Sequence, residues 1–445
     1  MAEPSALLSL AGPYGAVGRP VRVNTHGWMP EECFLYTAPT GNPSAVAGPF
    51  RPDARTAQGT GRSYGDPDRA RLLAVAEAVE RYAGLLVDER SLVVAPAAEL
   101  GSRALDLGRV PRCSARELSR PGCPIHDIDT ARPIRWTRAT DLHTGDTVLV
   151  PAVMAFLRFP ESDAENFWIP ISTGCAVHRS FEAAAVNAIC EVVERDALAL
   201  TWLLRRALPR LAEGRLSGPA RRIVAWCADR GVESFLYDAT TDVGVPVVFC
   251  LQTTENAPRT GQLVGAACGF DVASLAEHAL LETMGLRPGI EGRRALPRRY
   301  ADHRSVDDQA AVMAARSRRK AFEFLLTAPP ASRPASAAPN SPFAPGPAPD
   351  SAPGFDLGSD RGRLAFLLRR LAELGMTVLA VDLTTRELRD SDHVAVRVIV
   401  PELQPMSVRP LVQYRRHARL RTAAGRLGLR PLPMRRLNAY PQPMA

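Results

Sequence analysis

The chain has 445 residues, 46% of them hydrophobic, and a formal net charge of +8, so it can bury a large core as one domain with an insertion or as two domains. The positive charge would ordinarily indicate nucleic-acid binding, but the basic residues are scattered along the chain. Lys320 is the only lysine, and such a preference for arginine is typical of the codon usage of a GC-rich genome. We therefore expect no nucleic-acid partner. The apolar runs are far shorter than the roughly 20 residues of a membrane-spanning helix, so we expect no membrane span. No basic region precedes the apolar part of the N-terminus, so we expect no secretory signal. Together these expectations favour a cytoplasmic location.

The first 54 residues are rich in proline and glycine and predict an extension that caps the main domain. The segment Gly59-Thr60-Gly61-Arg62 comes next and predicts a glycine-rich loop. It lacks the Gly-Lys-Ser/Thr of a P-loop and the strand-to-helix setting of a dinucleotide fingerprint. Neither of these two phosphate-binding motifs is therefore predicted.

The pattern Glu-Xaa-Xaa-Glu-Arg occurs twice, at residues 77–81 and at residues 191–195, each time inside an apolar, alanine-rich segment that predicts a helix. At a spacing of i, i+3, both carboxylates of a pair project from one helical face. Such pairs commonly lie on a solvated face, but the apolar neighbours favour buried helices. Because buried carboxylates are costly without partners, either Arg81 and Arg195 pair with them or a cation does. Carboxylate oxygens are the ligands that Mg²⁺ prefers, so the four acids indicate a magnesium and polyphosphate site.

Strands and helices alternate along the rest of the chain, without a strict βαβ order, and predict a mixed α/β (α+β) fold. Helices are predicted at 312–326 and 364–374. Between them, residues 328–354 are almost entirely proline, alanine and serine and predict a disordered insertion into one domain that spans 55–445. The predicted strands are Val148–Val153, Ser234–Tyr237, Val245–Leu251, Leu263–Cys268, Val378–Asp382 and Val394–Val400.

The last third of the chain contains two basic patches and a proline-rich end. Dense basic patches at 316–320 and 415–426 predict either solvated helix faces or a surface that receives an acidic peptide. The chain ends in Tyr440-Pro441-Gln442-Pro443-Met444-Ala445, and alternating prolines pre-set an extended backbone that can be placed at small entropic cost.

Four segments together resemble a known family, the YcaO-domain proteins, which bind ATP and Mg²⁺ through acidic residues on helices. Residues 173–202 are similar to the family's signature stretch, and residues 59–84 resemble its first motif. Residues 276–287 are similar to a third nucleotide-contacting helix, and residues 371–403 resemble the late strands of the family. The proline-rich tail resembles that of the azoline-forming members, in which the tail reaches the active site.

The chain departs from the family pattern at four positions. Arg62 stands where the family usually has lysine, and Leu73 where it often has serine. His278 replaces the usual arginine, and Gly285 replaces a glutamine. Arginine can still neutralise phosphate through a bidentate fork. We expect a retained but specialised ATP site.

The resemblance implies an ATP-dependent cyclodehydratase that uses Mg²⁺ and forms thiazolines or oxazolines on the backbone of a ribosomally made precursor peptide. It implies magnesium ligation by the two acidic pairs, Glu77, Glu80, Glu191 and Glu194. It implies ATP contacts from Arg62, Glu182, Arg195 and Glu282, and a role at the reacting centre for Pro441, Pro443 and Ala445.

Alternatives remain within and outside this chemistry. Other members of the family form macrocyclic amidines or thioamides by the same activation, and a catalytically silent scaffold or precursor-binding protein is a further possibility. The resemblance also implies a separate leader-peptide-binding or E1-like partner protein, and the chain could form a homodimer.

Overall fold

The computed structural model describes residues 6–42, 57–157, 162–293, 295–297, 299–327 and 355–444. The predicted insertion at 328–354 and the terminal Ala445 lie outside these residues. Among them, no helix is long and apolar enough to cross a membrane. The described residues combine helices with antiparallel sheets, which confirms the predicted mixed fold.

The described residues include twelve strands in three sheets, with the orders β1-β2-β3, β10-β9-β8 and β4-β5-β11-β12-β7, and β6 pairs with β5 in the last sheet. Every strand pair is antiparallel. The strands are β1 Val21–Arg22, β2 Cys33–Pro39, β3 Gln58–Tyr64, β4 Val93–Pro96, β5 Pro133–Asp141, β6 Thr147–Pro151, β7 Cys175–His178, β8 Val232–Asp238, β9 Val247–Thr254, β10 Gln262–Cys268, β11 Leu379–Asp382 and β12 Val394–Ile399.

Three long helices dominate the described part of the chain, α1, α5 and α7, and each follows a strand of a different sheet. The α-helices are α1 Pro67–Leu85, α2 Ala97–Leu100, α3 Ala115–Leu118, α4 Ala152–Ala155, α5 Phe181–Leu204, α6 Gly218–Ala228, α7 Val272–Glu291, α8 Val306–Ala314, α9 Glu323–Leu326, α10 Asp360–Glu373, α11 Arg386–Asp390 and α12 Arg419–Arg426.

The glycine-rich segment at 59–62 is a strand, so its prediction as a loop was wrong. It forms the middle of β3 and pairs with β2, which ties the N-terminal residues to this sheet. The glycines are needed because α1 lies directly against the strand. A Cβ atom on Gly61 would lie only 1.9 Å from the carbonyl oxygen of Ala70. Glycine therefore serves close helix packing here rather than a turn.

The long helices begin where their sequences provide caps. The Asp66 side chain accepts a hydrogen bond from the Arg69 amide and Pro67 occupies the first turn, so α1 has both favoured start signals. Ser180 caps α5 and Asp271 caps α7 in the same way. Most of α5 is buried, including its last two turns through Trp202 and Leu204, as its apolar sequence predicts.

The six predicted strands are all present, with ends that are exact or shifted by up to three residues. The predicted helix at 312–326 was wrong in its continuity. Helix α8 ends at Ala314, and a 3-10 segment from Arg316 to Phe322 precedes the short α9. The predicted helix at 364–374 is confirmed as part of α10.

Candidate active site

One arrangement recurs in the three long strand-and-helix units. In each unit, a backbone N–H at the strand side donates a hydrogen bond to a glutamate on the helix that follows. The Thr60 amide donates to Glu77 Oε2 at 2.9 Å and the Gly174 amide donates to Glu191 Oε2 at 2.9 Å. The Ala266 amide donates to Glu282 Oε2 at 2.8 Å. Each of these three carboxylates therefore has one oxygen held by the backbone, and the second oxygen of Glu77 is bound by Arg81.

Close contact between strand and helix makes this hydrogen bond possible. A Cβ atom on Gly265 would lie 2.9 Å from the backbone nitrogen of Thr283 on α7 and 2.7 Å from its Oγ1. Real Cβ atoms essentially never come so close, so a larger residue would push the helix away. The same constraint acts between Gly61 and α1, as described above. The glycines thus set the depth at which the helix carboxylates reach the strand amides.

The acids of the three helices act on one another electrostatically. Burial raises the pKa of Glu80 well above its usual range, and the negative charges of Glu191 and Glu77 raise it further. Burial likewise raises the pKa of Glu194 to about 8, with the charges of Glu282 and Glu191 adding to the effect. The acids of α5 thus interact with both neighbouring helices, Glu191 with Glu80 of α1 and Glu194 with Glu282 of α7. We call the five glutamates Glu77, Glu80, Glu191, Glu194 and Glu282 the acid cluster.

The two arginines of the repeated motif hold their acids differently. Arg81 donates to Glu77 at 2.7 Å and to Glu80 at 2.8 Å. Arg195 is farther from its acids, at 3.7 Å from Glu191 and 3.4 Å from Glu194, and its buried Nε has no hydrogen-bond partner among the described residues. Arg195 is therefore the member of the pair with donors left for a ligand.

Two of the departures from the family pattern meet in space. A Cβ atom on Gly285 would lie 2.6 Å from Nε and 3.2 Å from Cδ of Arg62. The guanidinium of Arg62 thus fills the space that a side chain at position 285 would need. Its buried Nε has no partner within the described chain, and Arg62 forms no ion pair there. Gly285 makes room for a cation beside the acid cluster, a coupling that the sequence analysis did not anticipate.

Arg397 on β12 was missed by the sequence analysis. It is 4% exposed, donates from Nη1 to the Ile171 carbonyl at 2.5 Å, and its Nε has no partner among the described residues. Its charge lowers the pKa of Glu80, against the larger effect of burial. The available signal was a single charge within the apolar run at 394–400.

A narrow apolar pocket opens beside these cations. Arg195 and Arg397 line it together with apolar side chains that include Trp168 and Met406. The C-terminal tail is anchored next to it, because Gln442 Oε1 accepts a hydrogen bond from the Ser407 amide at 3.0 Å. Pro441 and Pro443 are buried. The predicted placement of Ala445 at the reacting centre falls outside the described residues.

Two further positions from the sequence analysis are Glu182, a predicted ATP contact, and Leu73, a departure from the family pattern. Glu182 is in the first turn of α5, nine residues before Glu191, which corresponds to about 13 Å along the helix axis. Its role toward ATP stays a prediction. Leu73 is 38% exposed one turn before Glu77, so the family's usual serine is replaced by apolar surface.

The residues fit a magnesium-bound polyphosphate better than a metal held by protein alone. The described part of the chain contains no group of three or more His, Cys, Asp or Glu residues placed to hold a metal ion. Mg²⁺ usually takes only one or two carboxylates, completing its shell with water and substrate phosphates. The carboxylates of the acid cluster and the unpartnered Nε atoms of Arg62 and Arg195 suit such a ligand.

Comparisons with known proteins agree with this geometry. Residues 58–404 match the family model described as the ATP- and Mg²⁺-binding YcaO cyclodehydratase. The chain belongs to the YcaO family. A heterocyclase in complex with substrate and cofactor has the same fold, with a TM-score of 0.76 at 18% identity over 99% of this chain and 57% of that chain. YcaO from Methanopyrus kandleri, bound with AMPPCP and Mg²⁺, gives a TM-score of 0.59 at 19% identity over 87% of this chain and 86% of that one.

A curated relative covers a shorter segment. An uncharacterized protein in the tfuA 3' region of Rhizobium leguminosarum bv. trifolii is 32% identical over 149 residues, which are 32% of each chain. The chain thus spans about a third of this relative and just over half of the heterocyclase.

Proposed function

We propose that this YcaO protein uses ATP and Mg²⁺ to activate a backbone amide of a ribosomally made precursor peptide, closing a thiazoline or oxazoline ring. The observation that carries the proposal is the electrostatic coupling of the glutamates on α1, α5 and α7, in which the charge of Glu191 acts on Glu80 and that of Glu282 acts on Glu194. Glu77, Glu191 and Glu282 each have one carboxylate oxygen held by a strand-side amide, and the buried Nε atoms of Arg62 and Arg195 have no acceptor among the described residues.

Charge balance supports a ligand that contains both cation and anion. Glu80 and Glu194 have raised pKa values because they are buried and repelled by neighbouring acids. A cation relieves that repulsion, whereas the unpartnered donors of Arg62 and Arg195 call for an anion. Magnesium triphosphate supplies both charges in one ligand. The acid cluster would hold Mg²⁺, and Arg62 with Arg195 would hold phosphate oxygens.

The chemistry follows from activation of the amide oxygen. A Cys, Ser or Thr side chain of the peptide attacks the preceding carbonyl carbon, and the resulting oxyanion takes the γ-phosphoryl group, releasing ADP. Phosphate then leaves with the original carbonyl oxygen and the ring keeps a C=N bond, so the peptide loses the elements of one water. Bound Mg²⁺ would neutralise charge on the phosphoryl oxygens. The protein's part is positioning and electrostatic stabilisation, without a protein nucleophile.

The C-terminal tail is proposed to border the reacting amide. Its support is the burial of Pro441 and Pro443 and the anchoring of Gln442 beside the pocket that Arg195 lines. Fixed tail backbone would help to exclude water and to define where the peptide carbonyl lies.

The proposal is tested by measuring ADP formation with Mg²⁺ and a precursor peptide, and by the mass of the product. We expect ADP formation coupled to loss of one water per ring, and no reaction when the cyclising Cys, Ser or Thr is replaced by alanine. Loss of one water by capture of the N-terminal amine would indicate a macrocyclic amidine, and exchange of oxygen for sulfur with added sulfide would indicate a thioamide. ATP binding without ADP formation under any of these conditions would instead favour a silent scaffold.

A partner protein is part of the proposal. In it, a leader-peptide-binding or E1-like protein delivers the precursor, so that binding energy far from the amide is used to position it. Rates are compared with and without the product of a neighbouring gene. Full activity and submicromolar leader affinity of the chain alone would contradict this split arrangement.

A further inference from the structure

A second cavity, of about 240 Å³, lies on the side of α7 opposite to the acid cluster. Met284 and Arg287 of α7 line it, whereas Glu282 of the same helix is hydrogen-bonded to the Ala266 amide. The other walls come from residues 27–28, from α6 and from β8 and β9, and include Trp28 and Trp226. We call it the tryptophan cavity.

The lining of the tryptophan cavity is positively charged. Arg230 and Arg287 line it, and its described lining residues include no aspartate or glutamate. The Arg230 guanidinium carbon lies 4.0 Å from the centre of the Trp226 ring, and that of Arg287 lies 5.5 Å from the centre of the Trp28 ring. Two cations held against aromatic faces, with no acid beside them, leave an excess of positive charge at the cavity.

Arg287 is an unusual buried cation. It is 2% exposed, and its Nη1 donates only to neutral acceptors, the carbonyl and the hydroxyl of Thr260, at 3.0 and 2.8 Å. Its Nη2 has no hydrogen-bond partner in the described part of the chain. The carboxylate of Glu291 acts on Arg287 only at a distance, through the Thr260 hydroxyl that donates to Glu291. Burial lowers the pKa of Arg287, which reflects the cost of this charge. An anionic ligand would offset that cost.

Size limits what the ligand can be. Sites for drug-sized ligands and cofactors usually measure about 300–1,000 Å³, so a cavity of about 240 Å³ suits a single residue better than a nucleotide. The indole walls favour an apolar body, and Gln252 and Asn256 offer neutral amide groups at the lining.

We propose that the tryptophan cavity binds one carboxylate-bearing amino-acid residue, whose carboxylate pairs with Arg230 and Arg287. The residue is either an acidic residue of a peptide or a free amino acid. This site is separate from the acid cluster and does not depend on ATP turnover.

Binding is measured by intrinsic fluorescence, because two of the five tryptophans of the chain line the cavity. The probes are the tripeptides acetyl-Ala-Glu-Ala-amide and acetyl-Ala-Gln-Ala-amide, together with free glutamate. We expect saturable binding of the Glu peptide, and at least tenfold weaker binding of the Gln peptide because it lacks the carboxylate. Binding of free glutamate as tight as that of the Glu peptide identifies a free amino acid as the source, and binding of the Glu peptide alone identifies a peptide residue.

Variants separate the cavity from the rest of the molecule. Arg230→Gln changes an exposed position and should weaken binding of the Glu peptide at least fivefold. Arg221, on α6, is also exposed but lies outside the cavity, so Arg221→Gln should leave this binding unchanged. Arg287→Lys tests the buried cation. Mg·ATP affinity, measured on the same samples, should be unchanged in Arg230→Gln. Equal affinity for the Glu and Gln peptides, or no saturable response to the Glu peptide and free glutamate, overturns the proposal and leaves the acid-cluster function untouched.

Discussion

Residues 194 to 196 of α5 belong to two charged regions that differ in how far their groups are satisfied. Glu194 belongs to the acid cluster, and Arg195 lies 3.4 Å from it with an Nε that has no partner in the described chain. Asp196 belongs to a second region, which we call the ion network, formed with Arg419 of α12 and Asp242.

The ion network is closed. Arg419 donates from Nε to Asp196 at 2.9 Å, from Nη1 to Asp242 at 2.8 Å, and from Nη2 to Asp196 at 2.7 Å and to Asp242 at 2.6 Å. The Arg419 side chain is fully buried. Part of the predicted basic patch at 415–426 is therefore internal, so its prediction as a solvated or peptide-receiving surface was wrong for Arg419.

The pKa values show how far the arginines offset burial in each region. In the ion network, burial raises the pKa of Asp196 despite Arg419. Burial alone would also raise the pKa of Asp242, but hydrogen bonds and charge from Arg419 and Arg426 outweigh it and hold the pKa below its usual range. For Glu194, burial prevails over Arg195 and the pKa is about 8. Charged groups whose hydrogen bonds are made within the protein stabilise the fold, whereas charged groups without partners indicate where a ligand binds.

Removing the centre of the ion network should have the largest effect. Arg419→Met leaves the buried Asp196 without a cation and leaves Asp242 with Arg426 alone, and we expect the free energy of unfolding to fall by about 3–5 kcal/mol. Urea denaturation measures this, with Arg421→Met, an exposed position on the same helix, as the control. A loss below about 1 kcal/mol would show that the network contributes no more than a surface ion pair.

The ion network should also make stability sensitive to acid through His417. Burial, and next the charge of Arg419, lower the pKa of this histidine to about 4, and its Nδ1 lies 3.2 Å from Gln404 Oε1. Because the unfolded chain binds this proton at a higher pH than the folded chain does, stability is complete above about pH 6.5 and is lost as the pH falls toward 4.

We expect the loss to reach about 3 kcal/mol, and His417→Gln should remove that part of the pH dependence. The measurement is urea denaturation between pH 4 and 7.5, with the exposed His26→Gln as the control. Parallel pH profiles for wild type and His417→Gln would contradict the prediction.

The acid cluster should show the opposite behaviour, with lost function and retained stability. Glu191→Gln and Glu194→Gln keep the side-chain shape but remove the charge proposed to hold Mg²⁺. Peptide-dependent ATP turnover should fall at least about a hundredfold, equivalent to about 2.7 kcal/mol, while urea stability stays within about 1 kcal/mol. Glu233→Gln, at an exposed position of β8, serves as the control. Unchanged turnover in both variants would remove these acids from the site.

The smallest effect is expected at the contact between Arg62 and Gly285. Gly285→Ala places a Cβ atom against the Arg62 guanidinium and should weaken Mg·ATP binding about tenfold, or about 1.4 kcal/mol. In an Arg62→Ala background, the same substitution should add little, because the group it displaces is gone. A double-mutant cycle on Mg·ATP affinity measures this coupling, and additive effects would show that the two positions act separately.

The sequence by itself determined the elements whose chemistry is local. The spacing of Glu77 with Glu80 and of Glu191 with Glu194 fixes both pairs on helix faces, because helix geometry is the same wherever it occurs. The strands at 247–254 and 262–268 were also predictable, because their residues are apolar and flanked by polar turns.

Only the tertiary structure decided which groups remain without partners. The glycine-rich segment at 59–62 is predicted as a loop because glycine usually occurs in turns, whereas its glycines allow α1 to pack directly against β3. Arg419 was read as surface because its partners Asp196 and Asp242 lie 223 and 177 residues away. Whether a charged group finds a partner depends on residues that the whole fold brings together, and the local sequence does not indicate those distances. The same reason separates the closed ion network from the open acid cluster one residue away on α5.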